Sequence, residues 1–534
     1  MPRLDWIGRK AVENHHRRVP FHLLKEVPEL SVGDPGSGNL LVEGDNLLAL
    51  KALLPYYAGQ VKFVCVDPPY NTGNENWIYN DNVNSPEMRT WLNKTVGREG
   101  EDLTRHDKWL CMMYPRLFLL RQMLCDDGVL AVNIDDNEVA HLRLMLDEIF
   151  GPSCFVGQLI WKSRQHLDSR SKDGISHDHE YILVYSRFSG RAQFRGKSRD
   201  RSKYKNPDSD PRGPWMSRSI LGLATAYQRP NLHYDLVNPE TGLSYPCVAA
   251  TGWRYSRETM NALIAEGRIL FPKKLTGRPR EKVFEGNLQT AFTGFPSIID
   301  GVYTDEGTAT MREIFGKQFF AFPKAPSLIR ELVQQIACDG DSIILDSFSG
   351  SGTTGHAVMQ LNREDGGNRR FILVEMDSNI CRNVTAERLK RVCSGYDKPD
   401  GKNVEGLGGG FRFATLGEPL FDERGNIRKT VKFPDIARHV YFTETGEPLP
   451  KHAKANNPLG ICNGIAVYLL YNGILKDKTP DGGNVLTTAI LSHLPKHDGP
   501  KVIYGTACRI GSERLRRENI TFKQLPYKLR VDAL

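Results

Sequence analysis

The sequence holds 534 residues, 40% hydrophobic and 25% charged, with a formal net charge of +8; that length suits about two to four domains, and that composition a soluble globular protein. No apolar run approaches the ~20 residues of a membrane span, and the opening MPRLDWIGRK lacks a signal peptide's apolar centre. The ten cysteines are scattered, with no CxxC pair and no matching histidine spacing, which argues against zinc and disulfides and for the reducing cytoplasm.

In chain order, residues 1–35 read as a polar lead-in that ends in the loop-like SVGDPGSG. The short strand LLVEGD follows and gives way to the helix NLLALKALL, whose amino terminus Asp45 is placed to cap. Val61, Phe63, Val64 and Val66 then form a buried parallel strand, apolar on both faces. It stops at Asp67-Pro68-Pro69-Tyr70, because each proline ring fixes φ and removes a backbone donor, and a residue before proline is held extended. Asn-Gly or Pro-Gly would make a plain turn with fewer constraints. DPPY makes instead a stiff, donor-poor tip carrying a carboxylate, free carbonyls and a phenol ring. The helix KWLCMMYPRLFLLRQML comes next, with Trp109, Met112, Met113, Leu117, Leu120 and Leu124 as core, followed by the strands GVLAVNI and EYILVYS.

Residues 189–318 are loop-rich and open with a basic run, RAQFRGKSRDRSKYK, in which Arg191, Arg195, Lys197, Arg199, Arg201, Lys203 and Lys205 are opposed only by Asp200. Such a run is either a solvated loop or a phosphate-neutralising stripe, with Phe194 and Tyr204 interleaved for stacking. Residues 319–395 hold a second motif, DSIILDSFSGSGTTGHAV. Gly350, Gly352 and Gly355 form a GxGxxG between a short strand and a helix, and the strand FILVE ends about twenty residues on at Glu375. Strand, glycine turn, helix, strand and terminal acid make one βαβ unit of the kind that binds an adenosine-containing cofactor, NAD or S-adenosylmethionine. No Lys-Ser/Thr follows the glycines, so this is not a phosphate-binding Walker loop.

The glycines of GLGGGF, from Gly406 to Phe411, suggest a linker over 396–430. Residues 431–534 read as a small α/β domain built from AVYLLYNGIL, KVIYGTA, SERLRREN and ITFKQLPYKLRV. No constellation there carries chemistry, and an interaction role is expected, in dimerisation or in docking a further subunit.

FSGSG and DPPY together resemble the amino-methyltransferases of DNA, and DPPY preceding FSGSG is the β-class order. EGDNLLALKALL, DPPYNTGN, YNDN (Tyr79 to Asn82), HEYILVYS, NPDSDPRGPW, GWRYSRETM, FPKAPSLIREL and NREDGGNRRFILVE extend the match over residues 35 to 425. The ensemble resembles the modification subunit of type III restriction–modification systems. The resemblance implies a Rossmann-like α/β sheet split into a catalytic half at 36–188 and a cofactor half at 319–395. A target-recognition domain at 189–318 would be inserted between them, and both functional loops would lie at strand carboxyl ends. It implies transfer of a methyl group from S-adenosyl-L-methionine to adenine N6 in double-stranded DNA, in a homodimer or with a restriction/helicase subunit.

Carried over by position, Asp67 and the Pro68 carbonyl accept from the adenine amine, Pro69 stiffens the tip, and Tyr70 stacks on a base flipped out of the duplex. The implied cofactor residues are Asp45, Lys324, Asp346, Phe348, Ser349, Gly350, Ser351, Gly352, Thr353 and Glu375, with Glu375 on the ribose hydroxyls. The implied DNA contacts are Arg195, Lys197, Arg199, Arg201, Lys203 and Lys205. Competing chemistries are cytosine N4 methylation and a nicotinamide-dependent oxidoreductase on the same βαβ unit. Pro246-Cys247 is similar to the nucleophile of cytosine C5 methyltransferases but lacks the usual following Gln, so Cys247 reads as a packed thiol. His15, His16, His177 and His179 form no metal constellation and read as structural or solvated.

Overall fold

Short β-branched and apolar runs set the architecture. A computed structural model describes residues 4–72, 105–169, 174–274, 276–422, 427–450, 453, 458–472, 479 and 482–525; YNDN, at 79–82, lies outside them. The chain divides into two compact units, one of residues 1–195 and 296–534, the other Gly196–Phe295.

The larger unit is built on one mixed sheet. Along its main path the strands are β1 (His22–Glu26), β2 (Leu40–Glu43), β3 (Val61–Val66), β4 (Leu124–Ile134), β5 (Phe155–Trp161), β6 (Glu180–Ser186), β7 (Ile298–Ile299), β8 (Ile343–Asp346), β9 (Arg370–Glu375) and β10 (Gly410–Pro419), and the short strand Val32–Gly33 pairs with β10 off that path. They lie in the order β1-β10-β2-β9-β8-β3-β4-β6-β5-β7. The centre, from β10 to β4, is parallel throughout, and β6 is antiparallel to both of its neighbours. Parallel central strands are covered on both faces, which explains the continuous apolar runs of β3 and β8. Helices α1 (Asn46–Tyr57) and α2 (Arg105–Met123) supply Leu47, Leu50, Leu53, Met113, Leu117 and Leu120 to the core cluster that also contains Val64, Leu345 and Val374. This is the expected Rossmann-like α/β sheet.

The pairing of β3 with β8 decides the position of the site. These strands are nearly three hundred residues apart in sequence, yet Ile344 pairs with Phe63 and Leu345 with Val64 in parallel register. Both therefore end on the same edge, and DPPY and FSGSG leave the sheet side by side.

Three predicted boundaries need correction. The lead-in 1–35 carries β1 and the buried Trp6, Val12, Val19 and Phe21; their uneven spacing gave no readable period. The linker predicted at 396–430 contains β10, in which Phe411, Phe413 and Ala414 are buried between β1 and β2; the glycines before it masked the strand. Of the predicted recognition domain 189–318, the separate unit covers Gly196–Phe295, while β7 and the helix Thr304–Phe315 belong to the larger unit.

The smaller unit has a three-stranded sheet of Trp215–Ser219, Arg280–Phe284 and Ile269–Leu270, the helix Arg257–Ala265, and a core of Ile220, Tyr234, Trp253, Met260 and Leu263. Cys247 packs against this core, as predicted for a structural thiol. Buried Glu281 accepts from Arg218, Arg268 and Tyr255 at 2.7–2.8 Å, which satisfies its charge internally. The carboxyl-terminal region forms a four-stranded sheet of Pro458–Cys462, Ile465–Leu469, Lys501–Gly505 and Ile520–Gln524.

Candidate active site

The edge where β3 and β8 end opens into a cavity of about 540 Å³, within the size range of small-molecule sites. One wall is Asp67, Pro68, Pro69 and Tyr70; the facing wall is Asp346, Phe348, Ser349, Gly350, Ser351 and Thr353, and Lys324 stands between them.

The DPPY tip is held from behind. Asn133 on β4 donates to the Val66 carbonyl at 3.3 Å, and Trp109 Nε1 on α2 donates to the Pro69 carbonyl at 2.6 Å. With those two carbonyls engaged and the prolines offering no N–H, Asp67 and Pro68 present acceptors to the cavity. Trp109 is thus both core, as predicted, and an anchor of the tip.

Lys324 ties the tip together. Its ammonium lies 2.6 Å from Glu180 Oε2, 3.3 Å from Asp67 Oδ1 and 2.5 Å from the Tyr70 hydroxyl, which itself donates to Glu180 at 2.7 Å. The same ammonium sits 4.7 Å from the Tyr70 ring centroid and 5.3 Å from that of Trp161, within cation–π range. Burial raises the Asp67 carboxyl above its ordinary range, against the opposing pull of Lys324. Burial also works against the Lys324 charge, but the Asp67 and Glu180 carboxylates outweigh it and hold the ammonium protonated. Burial pushes the Tyr70 phenol well up, so it stays a neutral donor.

The glycine turn is equally determined. Gly350 (φ +49°) and Gly352 (φ +77°) take left-handed conformations that favour glycine. A Cβ on Gly355 would meet Leu389 at 2.7 Å, so the third glycine lets its helix pack closely. Glu375 Oε2 accepts from Gly350 N at 2.9 Å. Fully buried Arg388 donates to the Ser351 carbonyl, Ser351 Oγ and Thr353 Oγ1 at 3.2, 3.0 and 2.9 Å. Asp346 accepts from Thr354 and from Phe348 N, yet burial lifts its carboxyl to about 7.

Two predicted cofactor acids do not line the cavity. Asp45 caps α1, accepting from Leu47 N at 2.8 Å and Leu48 N at 3.1 Å, and its other oxygen lies 3.2 Å from Arg116. That is the local capping reading. Glu375, 1% exposed, holds the glycine turn instead of facing the open space. Gly352 likewise shapes the turn without lining the cavity.

The predicted DNA-contact residues are mostly exposed. Arg195, Lys197, Lys203 and Lys205 are open to solvent; Arg199 donates to the Thr290 carbonyl at 3.1 Å, and Arg201 lies 3.2 Å from Glu285. His16 is structural, stacked on Phe118 at 4.5 Å, and burial first, then Lys51, lowers its pKa to about 4.

Sequence reasoning missed Glu180, Asn133, Arg388 and a cluster in which the donor atoms of His106, Glu138 and His141 lie within 4.8 Å of one another. Glu180 had one signal, an acid heading an otherwise apolar strand. The others become visible only once distant segments meet.

A protein-family model described as a DNA methylase matches residues 61–387. The Mod subunit of the type III restriction-modification enzyme StyLTI of Salmonella typhimurium is 34% identical, over 99% of this chain and 89% of that protein. The EcoP15I Mod subunit of Escherichia coli is 30% identical over 70% of this chain and 64% of that protein. The type II methyltransferase M.KpnI of Klebsiella pneumoniae is 34% identical over 72% and 94%.

Proposed function

Because this chain belongs to the DNA methylase family and, within it, to the type III modification subunits, and so is a DNA adenine methyltransferase, we propose that the cavity between DPPY and FSGSG is where methyl transfer occurs. The observation that carries this is the parallel pairing of β3 with β8, which brings both tips to one cavity.

S-adenosyl-L-methionine fits the glycine-turn side. Ser349 Oγ is buried there without a hydrogen-bond partner among the described residues, Phe348 offers an apolar wall, and the Asp346 carboxyl suits a cationic ligand. Asp346, Phe348, Ser349, Gly350, Ser351 and Thr353 would hold it, and the bound group supplies an electrophilic methyl on a sulfonium. Adenine N6 is a poor nucleophile because its lone pair is delocalised into the ring. Asp67 and the Pro68 carbonyl accept hydrogen bonds from the amine and so localise that pair. Lys324 opposes the burial that raises the Asp67 carboxyl and orients Tyr70, whose ring stacks on a base that has left the duplex. No covalent bond to the protein is required. Asp67, in place of serine, favours adenine over cytosine N4, and the DNA methylase match gives the nicotinamide reading no support.

Double-stranded DNA is the substrate, with the exposed cations from Arg195 to Lys205 neutralising phosphates. The carboxyl-terminal domain, on which Ile461 and Ile465 stand exposed, contributes to a homodimer or receives a restriction/helicase subunit. The protein acts in the cytoplasm; among the described residues no helix is long and apolar enough to cross a membrane. Sedimentation of the full chain tests the dimer, and a monomer at micromolar concentration would refute it.

The reaction is tested with trideuteromethyl-labelled cofactor and unmethylated DNA, followed by nucleoside mass spectrometry. Labelled N6-methyladenine is expected, with at least a hundredfold loss in Asp67→Ala while cofactor binding persists. Label in N4-methylcytosine, or an Asp67→Ala variant near wild type, would overturn the assignment.

A further inference from the structure

We propose that Glu138 is a positioning residue that aims the catalytic tip through Asn71; this rests on the reading of Asp67–Tyr70 given above. Asn71 follows Tyr70 directly and is left-handed, with φ +59°. Asparagine enters this region more readily than other non-glycine residues, and here its side chain is held by two partners. The first partner is the Glu138 carboxylate, whose side chain is wholly buried and whose Oε1 accepts from Asn71 Nδ2. The same amide nitrogen donates to the Arg105 carbonyl at 3.3 Å. Both partners are acceptors, which fixes the orientation of the amide.

Glu138 sits at the amino terminus of the helix Val139–Phe150, but its side chain makes no cap there. The carboxylate is instead completed by His106 Nδ1 at 2.7 Å and His141 Nδ1 at 2.8 Å, two imidazoles that are 37% and 34% exposed. His106 stands at the start of α2, one turn before Trp109, which holds the Pro69 carbonyl. The tip is thereby fixed at three points: Val66 by Asn133, Pro69 by Trp109 and Asn71 by Glu138. Glu138 does not line the cavity, so its influence on the reaction passes through Asn71 and reaches Tyr70 as a change of aim.

The test is a double-mutant cycle of Glu138→Gln and Asn71→Gly in the full chain, read as kcat, KM for DNA and KM for S-adenosylmethionine, beside thermal unfolding. Glycine keeps the left-handed backbone and removes only the amide. Each single variant is expected to lower kcat about ten- to a hundredfold, as loss of aim does, with both KM values within about threefold of wild type. The double variant should be no slower than the slower single one, because both remove one linkage. Multiplying losses, a kcat within twofold of wild type, or a loss confined to KM would each overturn the proposal. If Glu138→Gln fails to fold, Asn71→Gly alone decides by the same kcat criterion. Stoichiometric zinc in the purified protein, lost on Glu138→Gln, would make the triad a metal site and also overturn it. An inactive wild-type enzyme would instead bring down the catalytic assignment, and this proposal with it.

Discussion

Replacing Lys324 by methionine keeps a side chain of similar length against Tyr70 and Trp161 but removes the ammonium that faces Asp67 and Glu180. At the observed 3.3 Å, an effective dielectric near 20 makes the Asp67–Lys324 attraction about 5 kcal/mol. The Asp67 side chain keeps 31% exposure, so solvent screening brings the net effect nearer about 2 kcal/mol. The direction is fixed: losing the cation raises a carboxyl that burial has already raised. Ionised Asp67 is the stronger acceptor for the adenine amine, so the acidic limb of the kcat–pH profile should move up. Activity should fall most at the acidic end of the range and recover as the pH rises. Tritium transfer from labelled cofactor to duplex DNA, measured from pH 6 to 10, reads this directly. A limb that stays in place, or a loss equal at every pH, would refute the role given to Lys324.

Two further predictions follow from other parts of the structure. Burial raises Asp346 from 3.8 to about 7, so the folded state binds more protons than the unfolded chain between those values and stability falls as pH rises through that window, by about 4 kcal/mol in all. Asp346→Asn should therefore gain on wild type in thermal unfolding from pH 5 to pH 8, and a pH-independent difference would contradict this. Neutralising Arg199 and Arg201 to glutamine should flatten the salt dependence of DNA binding by about 0.9 per lost phosphate contact; an unchanged slope would return that run to a solvated loop.

Much of this was legible because the chemistry sits where local rules are strongest. A proline pair ending a β-branched strand, and glycines between a strand and a helix, constrain the backbone through residues adjacent in sequence, and both motifs fell where expected. The pairing of β3 with β8 came from family resemblance, since no local pattern states which strands become neighbours. Asp45 shows the opposite case: its capping role follows from Leu47 and Leu48 alone, and the structure bears out that local rule. Lys324 reads as an ordinary lysine until Asp67, Glu180 and Tyr70 converge on it from segments up to 257 residues away. β10 and the buried Trp6, Val12 and Phe21 were missed because glycine clusters and sparse apolar spacing carry no period, although the sheet and core complete them.

The central claim is that one cavity receives the methyl donor against FSGSG and presents it to DPPY. A crystal structure with the non-reactive cofactor analogue sinefungin tests this most directly. The account predicts the analogue along Phe348–Gly350, with the atom that replaces the transferable methyl facing Asp67 and Pro68 across the cavity. An analogue bound elsewhere, or seated with that atom turned away from Asp67, would contradict it.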